Sequence, residues 1–519
     1  MRGGWRATLG GLRSDMPEIE LKLAIAADDL PKARTALLAM AGRPRPSRST
    51  LTTTYYDSDE DTLRQRELVL RVRKTGRQFV QTVKARDLGG EILARGEWED
   101  RVKSAEPDLA APESGSHVRE LITPDALRPL FTTVVERQTF MLSPRQGTDI
   151  EVAIDRGEIR APDGKSEPLH EIELELKGGE SVVLWDVALR LLEIVPVRIE
   201  TRSKGERGYC LARGGRPPVV HAQGLTLDAR MTLDAALQEA GRRLIAMLLR
   251  NEAASLAAVP EGVHQMRVAV RRLRAVLAAV RPMLPEEHHR WANGELKWLG
   301  RELAPARNWD VFAESLLEPV SGALADTRDL APLSVAAQRW RQDAYEHARQ
   351  TILSQRYTAA IMRLARWFES RGWRDQPVTE DSARLMARLG KVAPGLLSRL
   401  HRKALKRARH FAALAPAERH RLRIALKKLR YATEFLESLY DRRAVQRYAR
   451  RLKPLQDDLG HANDVRSSQA LVAELGKGGD GAVGRAGGVV LGWHGRGVAD
   501  AETETRRHVR RFRGSAPFW

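Results

Sequence analysis

The sequence predicts an α+β protein of more than one domain, a β-rich N-terminal part followed by an all-α C-terminal part. Texture and charge predict it first. Before about residue 210, short runs alternate polar and apolar residues between Gly, Pro and Asp turns, which is a strand signature. After about residue 228, long Ala/Leu/Arg segments carry apolar residues at helical spacing, as from Leu233 to Asn251. The 519 residues carry a formal charge of +20, unevenly spread. Residues 1–210 hold 33 Lys and Arg against 35 Asp and Glu, whereas residues 211–519 hold 54 against 32. The whole excess lies in the helical part, where such a field concentrates polyanions: nucleic acid, inorganic polyphosphate or an anionic membrane.

The length suits two to four domains at roughly 150 residues each, every one large enough to bury a core. Gly214-Gly215-Arg216-Pro217-Pro218 reads as a linker, so the expected divisions are a β domain over 16–211, a linker over 212–227 and a helical domain over 228–519. Residues 1–15 are expected to be a disordered extension, with Met16 as an alternative start. No apolar run reaches the roughly 18 residues of a membrane span, and the first fifteen residues lack the apolar middle of a signal peptide. Cys210, the only cysteine, excludes an internal disulfide framework and a thiolate zinc site, which fits a reducing cytoplasm.

The β part shows a pattern that a simple core does not produce. Alternation puts Glu18, Glu20 and Lys22 on one face of the first run and Ile19, Leu21 and Leu23 on the other. The run at 171–177 repeats it, with Glu171, Glu173, Glu175 and Lys177 against Ile172, Leu174 and Leu176. Arg71 and Arg73 share a face, as do Thr82 and Lys84, and Glu97 and Glu99. Two arrangements are open: an antiparallel sheet with one wet face, or a closed barrel lined by these charges. Acidic clusters ending in Lys, with paired Arg, suit a ligand of several phosphates and a hard divalent cation. Carboxylates hold Mg²⁺ or Mn²⁺, and Arg and Lys neutralise the remaining oxygens.

The helical part contains an internal repeat. His264-Gln265-Met266-Arg267-Val268-Ala269-Val270-Arg271-Arg272-Leu273-Arg274 recurs 156 residues later as His420-Arg421-Leu422-Arg423-Ile424-Ala425-Leu426-Lys427-Lys428-Leu429-Arg430. At the same offset Leu296-Lys297-Trp298-Leu299 matches Leu452-Lys453-Pro454-Leu455. Two similar bundles in tandem, at about 228–375 and 385–519, account for it. At about 100° per residue, His264, Arg267, Arg271 and Arg274 form one stripe, and His420, Arg423, Lys427 and Arg430 another. The alternative is a solvated helix face, which the recurrence disfavours. The two histidines stand without a second imidazole or carboxylate at chelating spacing, so metal binding has little support. Protonation at mildly acidic pH would let them contact phosphate.

With these residues in place, the β part resembles the CYTH domain, a triphosphate tunnel metalloenzyme. The likeness rests on Glu18-x-Glu20-x-Lys22, Arg71-Val72-Arg73, the Lys84 strand, Ile150–Ile159, Glu171–Glu175 and Ser203–Tyr209 in that order. It implies an eight-stranded antiparallel tunnel. It further implies Glu18, Glu20 and Lys22 as catalytic, and Glu18, Glu20, Glu171 and Glu173 as ligands of Mg²⁺ or Mn²⁺. Lys22, Arg71, Arg73, Lys84, Arg137, Lys177 and Lys204 would bind triphosphate, with Glu99 and Asp155 as further tunnel acids. Some relatives carry a second basic residue where this chain has Thr139. The helical part resembles the CHAD domain over about 228–519, including the closing Pro517-Phe518-Trp519. This implies a basic groove between two four-helix bundles that binds inorganic polyphosphate through His264, Arg267, Arg271, Arg274, His420, Arg423, Lys427 and Arg430.

The expected function is metal-dependent hydrolysis of inorganic triphosphate to pyrophosphate and phosphate, with the helical domain binding polyphosphate in the cytoplasm or on polyphosphate granules. The alternatives are a catalytically weak polyphosphate-binding protein, or tunnel activity on ATP or thiamine triphosphate. Nucleic-acid binding predicts stacking aromatics among the basic residues, yet aromatics are only 5% of the chain. Neither a G-x-S-x-G elbow nor a G-x-x-x-x-G-K-[ST] loop is present.

Overall fold

The computed structural model describes residues 19–85, 96–222, 224–323, 330–476 and 481–519. Glu18 and the expected extension over 1–15 lie outside them. The chain divides into two compact units, one of residues 1–184 with 202–214, the other of 185–201 with 215–519. The strands are β1 (Ile19–Ile25), β2 (Ser47–Asp57), β3 (Leu68–Thr75), β4 (Gln78–Ala85), β5 (Gly96–Val102), β6 (Arg128–Arg145), β7 (Thr148–Arg160), β8 (Ser166–Gly178) and β9 (Val197–Ile199). They form one sheet in the order β5-β4-β3-β2-β6-β7-β8-β1-β9. The count is nine rather than the expected eight. The helices of ten residues or more are α1 (Leu30–Met40), α2 (Val182–Leu192), α3 (Lys204–Arg213), α4 (Leu233–Arg250), α5 (Pro260–Val280), α6 (Glu286–Glu302), α7 (Ala331–Leu353), α8 (Gln355–Glu369), α9 (Leu389–Arg407), α10 (Pro416–Leu436), α11 (Arg442–Gly476), α12 (Gly481–Asp500) and α13 (Glu502–Arg513). None is long and apolar enough to cross a membrane.

Antiparallel register carries the charges onto one face. Lys22 lies opposite Glu173, Asp155 opposite Glu171 and Arg137 opposite Asp155. On the far side Arg71 lies opposite Thr82, and Thr82 and Lys84 lie opposite Glu99 and Glu97. The intervening residues make the other face: Leu21, Leu23, Ile150, Val152, Ile172 and Leu174 are at most 1% exposed. The charged face is covered as well. Asp155, Glu171, Glu173, Lys22 and Arg71 have side chains 0%, 1%, 13%, 12% and 10% exposed. An open antiparallel sheet would wet that face, so the enclosed arrangement is the one this chain adopts.

Helix α3 closes one end of the charged face. Ser203 and Glu206 cap it reciprocally, and it ends at Gly214 with φ +63°. Gly208 sits against the Phe131 ring, where a Cβ would lie 2.0 Å from a ring carbon. Tyr209 joins Leu51, Tyr55, Phe131, Val135, Ile159 and Leu169 in an apolar cluster. Its hydroxyl donates to buried Asp57 at 2.8 Å, which also accepts from the backbone N–H groups of Ser58, Leu63 and Arg64. Strand β7 passes β6 closely enough that a Cβ on Gly157 would lie 2.0 Å from the Val134 carbonyl oxygen.

The helical unit displays the repeat in its element bounds. Helices α4, α5 and α6 begin at Leu233, Pro260 and Glu286, and α9, α10 and α11 begin at Leu389, Pro416 and Arg442, each pair 156 residues apart. The halves also meet symmetrically. Leu233 N–H donates to Ala387 O at 3.1 Å, and Leu389 N–H donates to Met231 O at 2.7 Å. These two bonds exchange under the same offset, and they flank a bridge between Thr232 and Arg388, themselves repeat mates. An approximate two-fold axis therefore passes through that bridge. Helices α5 and α10, which are mates, pack against each other.

Candidate functional site

Three carboxylates meet at the α3 end of the charged face. Ligand oxygens of Asp155, Glu171 and Glu173 lie within 4.8 Å of one another. Two basic side chains hold them. Arg137 donates to both oxygens of Asp155 at 2.7 Å and to Glu173 at 2.5 Å. Lys204, from the first turn of α3, reaches Asp155 and Glu173 at 2.9 Å and makes a closer contact with Glu171. Burial pushes the Glu173 carboxyl up, but Lys204, Arg137 and Lys22 together hold it well below the usual carboxylate range. For Glu171 burial wins over Lys204, and its pKa is raised. Glu171 Oε2 has no hydrogen-bond partner, with the Arg207 guanidinium approaching it to 3.6 Å. An all-carboxylate set with a spare buried oxygen fits a hard divalent cation.

Across the sheet the expected phosphate ligands are differently placed. Lys22 pairs with Glu20 at 2.5 Å and lies 3.7 Å from Glu173; burial raises the Glu20 carboxyl, but Lys22 turns the balance and lowers it. Arg71 and Lys84 both reach Glu97, at 3.1 and 2.6 Å. Glu99 accepts from the Thr82 hydroxyl at 3.0 Å. Arg73 has no ion-pair partner among the described residues, and its buried Nε is without a hydrogen bond. Its pKa falls to about 10, driven by neighbouring Arg71 and then by burial and Arg137. Lys177 pairs with Glu175, with its side chain 41% exposed. Thr139, where a second basic residue was conceivable, bonds to the Ser47 hydroxyl.

Sequence reasoning gave Arg207 and Glu97 no role. Arg207 lies one turn beyond Lys204 on α3, a spacing that places both on one side of the helix and could have flagged it.

In the helical unit the two basic stripes converge. Arg271 of α5 lies near enough to Arg423 and Lys427 of α10 to depress both. Burial, then Arg423 and Arg271, push Lys427 down to about 7. Burial, then Arg271 and Arg307, push Arg267 to about 10 while it donates to Gly300 O at 2.7 Å. Buried Nε atoms of Arg271 and Arg423 lack hydrogen-bond partners. Arg274 meets Asn293 at 3.2 Å; among the described residues Asp464, 3.8 Å from Arg423, and Glu434, 3.2 Å from Arg430, temper the group. Such uncompensated cations cost folding energy and suit a polyanion.

Burial and then Arg307 push the His264 ring down to about 4. His420 Nδ1 lies 2.8 Å from Asn463 Oδ1. Arg307, outside the repeated stripe, is a groove residue that periodicity alone had no means to find.

Fold and site together define a two-part protein: a charge-lined, enclosed antiparallel sheet and a duplicated basic helical unit. Residues 16–209 match the CYTH domain and residues 239–473 the CHAD domain. The chain thus belongs to the proteins that carry a CYTH domain followed by a CHAD domain. Over 203 residues it is 32% identical to an inorganic triphosphatase of Haemophilus influenzae, covering 38% of this chain and 55% of that relative. The match therefore spans about half the relative's length. The crystal structure of the CHAD domain from the plant Ricinus communis is similar at 29% identity and a TM-score of 0.50, covering 58% of this chain and 98% of that one.

Proposed function

We propose that the sheet domain hydrolyses inorganic triphosphate to pyrophosphate and phosphate with Mg²⁺ or Mn²⁺, and that the helical domain binds inorganic polyphosphate. One observation carries the first half: an enclosed face bears a three-carboxylate cluster together with Arg73, a cation without an acid partner among the described residues. Asp155, Glu171 and Glu173 would hold a divalent cation, with Glu20 and Glu18 contributing from the first strand. An ion held by these residues would supply Lewis-acid stabilisation of the phosphoryl charge.

The remaining work falls to side chains. Arg71, Arg73 and Lys84 hold one end of the phosphate chain, and Lys22 and Arg137 neutralise oxygens at the acidic end. Arg73 gains most from an arriving anion, because pairing relieves the repulsion that lowers its pKa. Enclosure excludes bulk water, which strengthens each of these contacts.

The two-fold relation of the basic stripes supports polyphosphate over single-stranded nucleic acid. A groove whose halves are equivalent suits a polymer that reads identically in both directions. Polyphosphate does so, whereas a nucleic-acid strand has distinct 5′ and 3′ ends. Attachment to polyphosphate granules follows from the same groove.

The test is phosphate release from inorganic triphosphate with Mg²⁺ or Mn²⁺, comparing the intact protein with Glu18→Gln and Glu20→Gln, and with ATP and thiamine triphosphate as competing substrates. Rapid release from inorganic triphosphate that is lost in the variants is the expected result. No release from any substrate, with polyphosphate still bound, would reduce the protein to a polyphosphate-binding one. Replacing Arg423 and Lys427 together by Ala should weaken long-chain binding and leave release from triphosphate unchanged.

A further inference from the structure

Lys204 occupies a special position among the cations of the sheet domain. Its ammonium has three N–H donors, and it contacts three different carboxylates: Asp155 at 2.9 Å, Glu173 at 2.9 Å, and Glu171. Those are the same three acids whose oxygens lie within 4.8 Å of one another. The ammonium thus sits at their common centre, where a divalent cation would need to be. Asp155 and Glu171 are 0% and 1% exposed, so water does little to neutralise them if the ammonium leaves.

The other cation on this cluster is built differently. Arg137 is planar and bidentate, with Nε and Nη2 each 2.7 Å from Asp155, and it springs from the middle of β6 between two paired strands. Lys204 stands at the first turn of α3 just after its capping residue, on a flexible four-carbon stem that carries a point charge. Its backbone is anchored while its head group can swing.

We propose that Lys204 is a built-in counter-ion that a divalent cation must displace, and that the displaced ammonium then becomes a phosphate ligand. This rests on reading the three acids as a divalent-cation centre. Arg137 sits at the rim of the cluster, but the ammonium fills its centre, and a divalent ion brought to that centre would lie within a few ångströms of it and repel it strongly. Cation binding therefore evicts the ammonium, and the tether keeps it within reach of phosphate oxygens on the same ion. One lysine thus couples the two events: the cation strengthens anion binding and, by reciprocity, the anion strengthens cation binding. Before either arrives, the lysine keeps three buried carboxylates from destabilising the fold.

The experiment titrates Mn²⁺ calorimetrically into the full chain without any phosphate, for the wild type, Lys204→Met and Lys204→Arg. Lys204→Met should bind Mn²⁺ at least tenfold more tightly. It should also melt at lower temperature without metal and recover when Mn²⁺ is added. Lys204→Arg, which keeps the charge, should stay near the wild-type affinity. In the wild type, the imido analogue of triphosphate should tighten Mn²⁺ binding, and in Lys204→Met that coupling should shrink. Equal or weaker Mn²⁺ binding by Lys204→Met, or the same gain in Lys204→Arg, overturns the proposal while leaving the metal centre standing. Absence of Mn²⁺ binding at the sheet domain in all three proteins sinks the proposal and the metal-centre reading together. Should Lys204→Met not fold, Lys204→Gln is read by the same criterion.

Discussion

Polyanion binding in the helical unit should be proton-linked through Lys427. Its ammonium is half-buried on α10 among Arg423, Arg271 and Arg430, with Asp464 nearby, and burial followed by those guanidiniums lowers its pKa from 10.5 to about 7. A base with a depressed pKa is charged below that value and neutral above it. In the free groove Lys427 is therefore largely neutral at pH 8 to 9. A bound polyphosphate neutralises the surrounding guanidiniums and returns the lysine towards its ordinary value, so binding takes up a proton above pH 7. If the full shift is recovered, the dissociation constant rises about tenfold per pH unit above pH 7, or about a hundredfold between pH 7 and pH 9. Lys427→Arg should flatten the profile, because a guanidinium stays charged throughout. The assay is calorimetric titration of long-chain polyphosphate from pH 6 to pH 9 at one ionic strength, since salt alone weakens such binding. Two buffers of different ionisation heat report the proton count, which should approach one near pH 8.5. A wild-type slope equal to that of Lys427→Arg, with no proton taken up, would refute the reasoning.

Three further outcomes follow from the same structure. Arg73→Met removes a cation with no acid partner among the described residues, so the melting temperature should hold or rise while KM for triphosphate increases at least tenfold; a stability loss with unchanged KM would make Arg73 structural. Glu252 is buried, accepts from the Tyr357 hydroxyl at 2.6 Å, and has its pKa raised by burial to about 7. A raised carboxyl penalises the fold as pH climbs from 4.5 to 7, so Glu252→Gln should stabilise by about 3 kcal/mol more at pH 8 than at pH 4.5; chemical denaturation at the two pH values gives that difference. Gly208→Ala forces a methyl into the Phe131 ring, and differential scanning calorimetry should find the sheet domain weaker by about 1–3 kcal/mol.

Much of the site was legible because it depends on local periods. A period of two assigns Glu20 and Lys22, or Glu171 and Glu173, to one face whatever the rest of the chain does. A period of 3.6 does the same for His264, Arg267, Arg271 and Arg274, and a repeat shows itself as an offset. Less legible were the residues whose role comes from a distant neighbour. Asp155 was a secondary candidate until β7 paired with both β6 and β8 and set it between Arg137 and Glu171. Lys177 shares the alternation of Glu171 and Glu173 but falls near the end of β8, where its side chain is 41% exposed beside Glu175.

The sequence by itself determined the two-part build, the charged and apolar faces of each strand, the site of the basic excess and the duplication of the helical half. Each of these follows from composition or from a period of a few residues. Tertiary structure decided what covers those faces and which charges meet. Alternation cannot tell a wet face from an enclosed one; only the small exposures of Asp155, Glu171 and Lys22 do. The convergence of Lys204 on acids some thirty residues earlier in the chain needed strand register and the seating of Gly208 against Phe131. The pairing of the two basic stripes needed the two-fold contact around Thr232 and Arg388. Charge repulsion would keep those helices apart; buried apolar residues of both, among them Leu273 and Leu429, and the Arg272–Glu434 ion pair at 2.8 Å oppose it.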